Sequence, residues 1–182
     1  MRRFVFVTVF LFCFMTGPAF AADNLSDVAL KIKSGILTML KGIEGTVSRA
    51  AQEAGTLELN RETEIRKLLQ NCNTGRPYVI DSTFIDGKGI MKFIEPEQYR
   101  KYEGTDISKQ EAIIKMQKTQ QPLMGNVFVS VEGVKSIDIE YPVFSAGKKL
   151  IGSVSLLVKQ DELIRSVAAP IENESGAKET VP

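Results

Sequence analysis

Apolar and polar positions alternate with a period of two through residues 126–159, and that stretch predicts three consecutive strands. The strands are 127–131, 136–141 and 150–158. Glu132-Gly133 and Ser145-Ala146-Gly147-Lys148 supply the turns. Such short links join antiparallel neighbours only, because a parallel return needs a longer crossover. Within the second strand, Asp138 and Glu140 fall on one face, where alternation assigns them to the wet side.

Upstream the period changes. Apolar residues recur at steps of three and four from Leu25 through Ala54, predicting one amphipathic helix of about eight turns. A helix of that length exceeds the width of a small domain, so part of it projects, and an exposed apolar stretch offers a route to a homodimer. Gly55 ends it. A shorter helix follows, with Asn60 as N-cap, Glu62 and Glu64 at its positive end, and Ile65, Leu68 and Leu69 facing inward. A hairpin comes next, 78–85 and 90–94 about the turn Asp86-Gly87-Lys88-Gly89. The connection 95–121 holds a helical turn bearing Tyr99, Arg100 and Tyr102, and then the capping-box pattern Ser108-x-x-Glu111 opening a helix to about Thr119. A short helix over 160–167 closes the domain, and the polar tail from Pro170 predicts disorder. The fold class is α+β with an antiparallel sheet.

The first residues change the picture of where the chain works. Arg2 and Arg3, an apolar run from Phe4 to Met15, and Ala19-Phe20-Ala21 read as a signal peptide over 1–21, cleaved between Ala21 and Ala22. The expected location is therefore periplasmic or secreted, with a sensor-sized domain over 22–168 and a tail over 169–182. The net charge of +1 carries no basic cluster, which argues against nucleic-acid binding. Beyond the leader, Cys72 is the single cysteine, on the inward face of its helix, and reads as a buried thiol.

The order of elements resembles the single-Cache family, the PAS-like, PDC-type extracytoplasmic sensor domains. The residues that carry the likeness are Tyr99 to Ser108, Thr119 to Pro122, Glu140-Tyr141-Pro142-Val143-Phe144, and Gly147 through Gly152-Ser153-Val154. The resemblance implies a five-stranded antiparallel sheet, a long N-terminal helix, and a small molecule held between the sheet and the helical connection. It also implies that an aromatic residue and an arginine of that connection grip a ligand carboxylate, a role that falls to Tyr99, Arg100 and Tyr102. Where relatives place an ammonium-binding aspartate near the end of the last strand, this chain has Leu157. A carboxylate, another small metabolite or an apolar ligand therefore stays open.

The candidate ligand-binding residues are Tyr99, Arg100, Tyr102, Asp106, Tyr78 and Tyr141. For each a plainer role stands beside it. Arg100 is equally a solvated charge, Tyr99 and Tyr102 packing on the sheet edge, Asp106 a turn or cap residue, and Tyr78 and Tyr141 core. The chain contains no histidine, which removes Ser-His-Asp and Cys-His catalysis and the usual zinc ligands, and no phosphate loop is present. No catalytic residue, metal or cofactor is assigned, and the chain is not read as an enzyme. The expected function is an exported ligand-binding sensor module that passes occupancy to a membrane receptor or kinase. The alternative is an envelope interaction protein that uses the fold without a ligand.

Overall fold

The computed structural model describes residues 17–57 and 61–176, with side chains over 26–57 and 61–169. Helix α1 (Gly17–Thr56) leads to α2 (Glu62–Asn73), and the hairpin β1 (Val79–Asp86) and β2 (Met91–Glu95) follows. A 3₁₀ helix (Glu97–Tyr102) and α3 (Glu111–Thr119) form the connection to β3 (Leu123–Val129), β4 (Lys135–Phe144) and β5 (Leu150–Lys159). Helix α4 (Gln160–Gly176) is the last element among the described residues. The strands form one antiparallel sheet in the order β2-β1-β5-β4-β3, so the last strand is central.

Alternation divides the sheet into two unlike faces. Phe84 of β1, Ile139, Tyr141 and Val143 of β4, and Val154, Leu156 and Val158 of β5 point to one side. There they meet Ile43, Val47, Ala50, Ala51 and Ala54 of α1 and Ile65, Leu69 and Cys72 of α2 in a single core. Tyr78 lies in the same core. The Cys72 thiol is free and fully buried, which pushes its pKa up to about 11 and leaves it unreactive. The amino-terminal half of α1 extends past this core, with Leu30 and Leu37 exposed. Its contact with α4 is close, and a Cβ on Gly35 would sit 2.6 Å from Val167.

The opposite face carries the other parity: Asp81, Thr83 and Ile85 of β1, Asp138 and Glu140 of β4, and Ser153, Ser155 and Leu157 of β5. It is not wet. Asp138 is 3% exposed and Glu140 is fully buried, because the connection and the β3–β4 turn cover this side. Periodicity says which residues share a face and nothing about what covers it, so the assignment of these acids to a solvated side is corrected.

The connection is strapped to the hairpin by backbone bonds. Met91 N–H donates to Thr105 O, Gly104 N–H to Met91 O and Ile107 N–H to Gly89 O. Gly89 is obligatory here. Its φ is +82°, and a Cβ would lie 2.6 Å from Ser108 Cα. The expected Ser108–Glu111 capping box does not form. The Asp106 carboxylate takes the Ser108 N–H at 2.9 Å, and α3 starts at Glu111 with Gln110 as its N-cap, whose own N–H donates to Ile107 O. Asn60, the expected cap of α2, lies outside the described residues, as do most of the expected signal peptide and the end of the expected tail. Helix α4 continues to Gly176, past the start of the expected disordered tail, from a segment held by Leu163 and Val167 in contact with the body.

Gly152 sits where β5 meets β1, and a Cβ there would lie 2.1 Å from Ile85 O. Gly152→Ala should therefore push the two central strands apart and destabilise the fold by about 1–3 kcal/mol. Gly42→Ala, in α1 with open space around the new methyl, should raise stability by up to about 1 kcal/mol. The two urea midpoints should move in opposite directions.

Candidate functional site

The register sets two polar rungs across the covered face. Asp81 of β1 and Asp138 of β4 both pair with Leu157 of β5, and Thr83 and Glu140 both pair with Ser155. Leu157, standing where an aspartate was expected, is thus flanked by one on each neighbouring strand. Local hydrogen bonds hold the near oxygens of these acids. Thr83 Oγ1 donates to Asp81 Oδ1 at 2.8 Å, and Ser155 Oγ donates to Asp138 Oδ1 at 2.6 Å.

Above these rungs is a small cavity with a solvent-open mouth. Its floor is Asp81, Thr83, Asp138, Ser155 and Leu157 of the sheet. Met91, Ile107 and Gln110 form one wall, and Phe128, Ser130, Val131 and Glu132 form the other. A larger groove between α3 and β3 shares Gln110, Phe128 and Asp138 with it. Asp81 Oδ2, Ser130 Oγ and both carboxylate oxygens of Glu132 are buried without a hydrogen-bond partner. Farther along the sheet, both oxygens of Glu140 and Ser153 Oγ are in the same condition. A buried polar group left unpaired costs about 1–3 kcal/mol, more when charged, so an accumulation of them marks a surface built to face something else.

Electrostatics give the same picture. Burial, and then the neighbouring Glu132 and Asp138 charges, push Asp81 up to about 8, against the pull of the Thr83 hydroxyl. Burial also raises Asp138, despite its bond from Ser155. Glu140 is raised well above the usual carboxylate range by burial and by Asp138 beside it. Among the described residues that line the cavity, none is Lys or Arg.

The residues singled out from sequence lie elsewhere, and none of the six lines this cavity. Tyr99 and Tyr102 pack, half-buried, on Ile85, Met91, Ile94, Ile107 and Ile113 and so brace the connection. Arg100 turns to the end of β2, where its Nη2 is 2.6 Å from Oε1 of the buried Glu95. Arg66 joins this network. It donates to Glu103 at 2.8 and 3.2 Å and to Glu62 at 2.6 Å, and the Ile94 N–H donates to Glu103 at 3.0 Å. Although partial burial works the other way, those donors hold Glu103 below its ordinary range. Asp106 is exposed and caps Ser108. Tyr78 and Tyr141 sit on the helix side of the sheet, and burial with Glu44 nearby pushes Tyr141 up to about 12. The residues that sequence reasoning passed over are Asp81, Thr83, Ser130, Glu132 and Ser155. One signal pointed to Asp81, Thr83 and Ser155: polar residues hold the same parity on three strands that become neighbours, whereas Ser130 and Glu132 lie in the β3–β4 turn.

The model of the HK/GC/chemotaxis protein-like sensor-domain family matches residues 38–160, and the chain belongs to that family. Among solved structures, an extracellular ligand-binding receptor from Desulfohalobium retbaense superposes with a TM-score of 0.70 at 29% identity. The match covers 78% of this chain and 26% of the receptor, so the chain spans only a part of that protein. The ligand-binding domain of the Campylobacter jejuni chemoreceptor Tlp3, in complex with 4-methylisoleucine, gives 0.67 at 11% identity over 80% of this chain and 60% of its own. That of the Pseudomonas aeruginosa amino acid chemoreceptor PctC, in complex with GABA, gives 0.64 at 17% identity over 82% and 68%. The last two likenesses are of fold. No curated protein matches the chain.

Two outcomes follow from this geometry. Asp81, raised to about 8, keeps its proton in the folded state at pH values where the unfolded chain has lost it. Stability should therefore be greatest below the ordinary carboxylate range and fall as pH rises towards 8, by up to about 1.4 kcal/mol per pH unit for each proton retained. Asp81→Asn should flatten that slope in urea titrations run from pH 4 to 9. Arg100→Ala strips the buried Glu95 of its shorter ion pair, leaving Arg66 at 3.4 Å. A loss of about 1–3 kcal/mol is expected, read from the same titrations at pH 7.

Proposed function

We propose that this sensor domain binds a small molecule in the cavity between its polar sheet face and the connection, and reports occupancy to a membrane partner of receptor or kinase type. The observation that carries the reading is the set of buried, unpartnered oxygens on Asp81, Ser130 and Glu132, three residues that line a cavity the fold leaves open. The Tlp3 and PctC domains of the same fold are in complex with small molecules. Transfer of ligand binding to this chain rests on its own cavity. The domain is read as exported, periplasmic or secreted, since its family comprises sensor domains. Among the described residues no helix is long and apolar enough to cross a membrane. The projecting half of α1, with Leu30 and Leu37 exposed, is the surface for a second copy or for the partner's own helix.

Tyr99, Arg100 and Tyr102 keep a part in this reading as the residues that set the position of the connection, from which Ile107 and Gln110 reach the cavity. A second reading, an envelope interaction protein, draws on edge strand β3, where Met124, Val127 and Val129 are exposed.

A thermal-shift screen against a broad metabolite panel separates the two. A ligand that binds only the folded state adds about 2.7 kcal/mol at a hundredfold excess over Kd. Val131, exposed at the cavity wall, is the position to block. Val131→Trp should leave the melting temperature of the free protein within a few degrees of the parent and abolish the ligand-induced rise. A panel without a single saturable shift would favour the interaction protein.

A further inference from the structure

The same cavity specifies the charge of what enters it. We infer that the ligand is a small organic amine, held as its ammonium by Asp81, Asp138 and Glu132 and carrying no carboxylate that needs a partner. This deepens the sensor reading and rests on it.

The cavity wall presents carboxylates from three separate segments: β1 through Asp81, β4 through Asp138, and the β3–β4 turn through Glu132. Acidic side chains gathered on a surface say little. Here Asp81, one of the residues that line the cavity, is 2% exposed, and its Oδ2 has no hydrogen-bond partner. Glu132 adds two more oxygens without partners, and the Ser130 hydroxyl, able to accept or donate, is unpartnered as well. An ammonium supplies donors only, which suits carboxylate oxygens that have none. Charge-assisted bonds to carboxylates are about twice as strong as neutral ones.

An anionic group finds no counterpart in this cavity. The guanidinium groups nearest the connection, Arg66 and Arg100, are committed to Glu62, Glu95 and Glu103. Lys115, which lines the adjoining groove, is exposed, so a carboxylate reaching it would remain in water. An inorganic cation suits the site less well than an organic one. Among the described residues no group of three or more His, Cys, Asp or Glu converges closely enough to hold a metal ion. Carboxylates spread around a cavity rather than about a point match a cation with its own length. Ile85, Met91, Ile107, Phe128 and Leu157 give its hydrocarbon part an apolar lining.

The groups facing Asp81 are Thr83 on its own strand, Asp138, and Glu132 of the turn. All the charges among them are negative. Binding an ammonium therefore favours the ionised carboxylates, and protons are released on association. Amine affinity should rise as pH increases from 6 to 8, over the range in which the free protein loses stability.

The test is isothermal titration calorimetry of the full chain with matched pairs that differ in a carboxylate: agmatine against L-arginine, 1,4-diaminobutane against L-ornithine, and isobutylamine against L-valine. Succinate and calcium chloride complete the set. The expected result is that at least one amine binds ten times more tightly than its amino acid, and more tightly at pH 8 than at pH 6. Asp81→Asn should weaken that amine at least tenfold while melting at a higher temperature than the parent at pH 8, which shows the variant to be folded. Tighter binding of the amino acids, or binding of succinate or calcium alone, overturns the amine assignment and leaves the sensor reading intact. An absence of heat from every probe, joined to a silent metabolite panel, overturns both.

Discussion

Uncompensated negative charge inside the sheet is the constraint on which this structure turns. A carboxylate withdrawn from water must find a cation, find donors or take up a proton. In this chain Glu95 takes the first course, tied to Arg100 and Arg66. Asp81, Asp138 and Glu140 are left with hydroxyls or nothing, and their proton affinities rise. One carboxylate joins the connection to the body, while the others hold the free protein in a state less stable than an apolar core of the same shape would give. The apolar core on the far side of the sheet and the close packing of α1 on α2 supply the stability against which that cost is set.

The division between the two faces follows from strand parity alone. Each of β1, β4 and β5 sends mainly apolar residues to the helices, and most of its buried polar residues to the connection, with Ile85 and Leu157 among them and Ser82 on the helix side. A fold of this kind sets the covered polar face opposite the core, so that residues on that face can change without disturbing the packing of α1 and α2. The match to the sensor-domain family over 38–160, and likeness to chemoreceptor domains at 11–17% identity, show how much of the sequence such an arrangement leaves free.

The elements were legible because each announces itself locally. The long helix follows from steps of three and four up to Ala54, and the meander from alternation bounded by glycine turns. The site was less legible for two reasons. Asp138 and Glu140 alternate with apolar neighbours as they would on any half-exposed strand, and only the packing of the connection decides that their face is covered. Arg100 looks available in sequence, but the Glu95 that occupies it lies on the preceding strand, and its burial is a tertiary fact. Tyr99 and Tyr102 gave an aromatic signal that a small hydrophobic cluster accounts for. The family likeness pointed to the space between the sheet and the connection, where the cavity lies, while the individual residues it suggested came from the other end of that connection.

Strand β5 passes from Lys159 into α4 at Gln160 with no intervening loop. It is also the strand whose Ser155 and Leu157 floor the cavity and whose other face meets the helix core. The strand is held on both sides by β1 and β4, and the helix meets α1 partway along its length, where Val167 comes against Gly35. With no loop between them, a displacement of β5 at Ser155 has no slack segment to absorb it before α4 and its contact with α1.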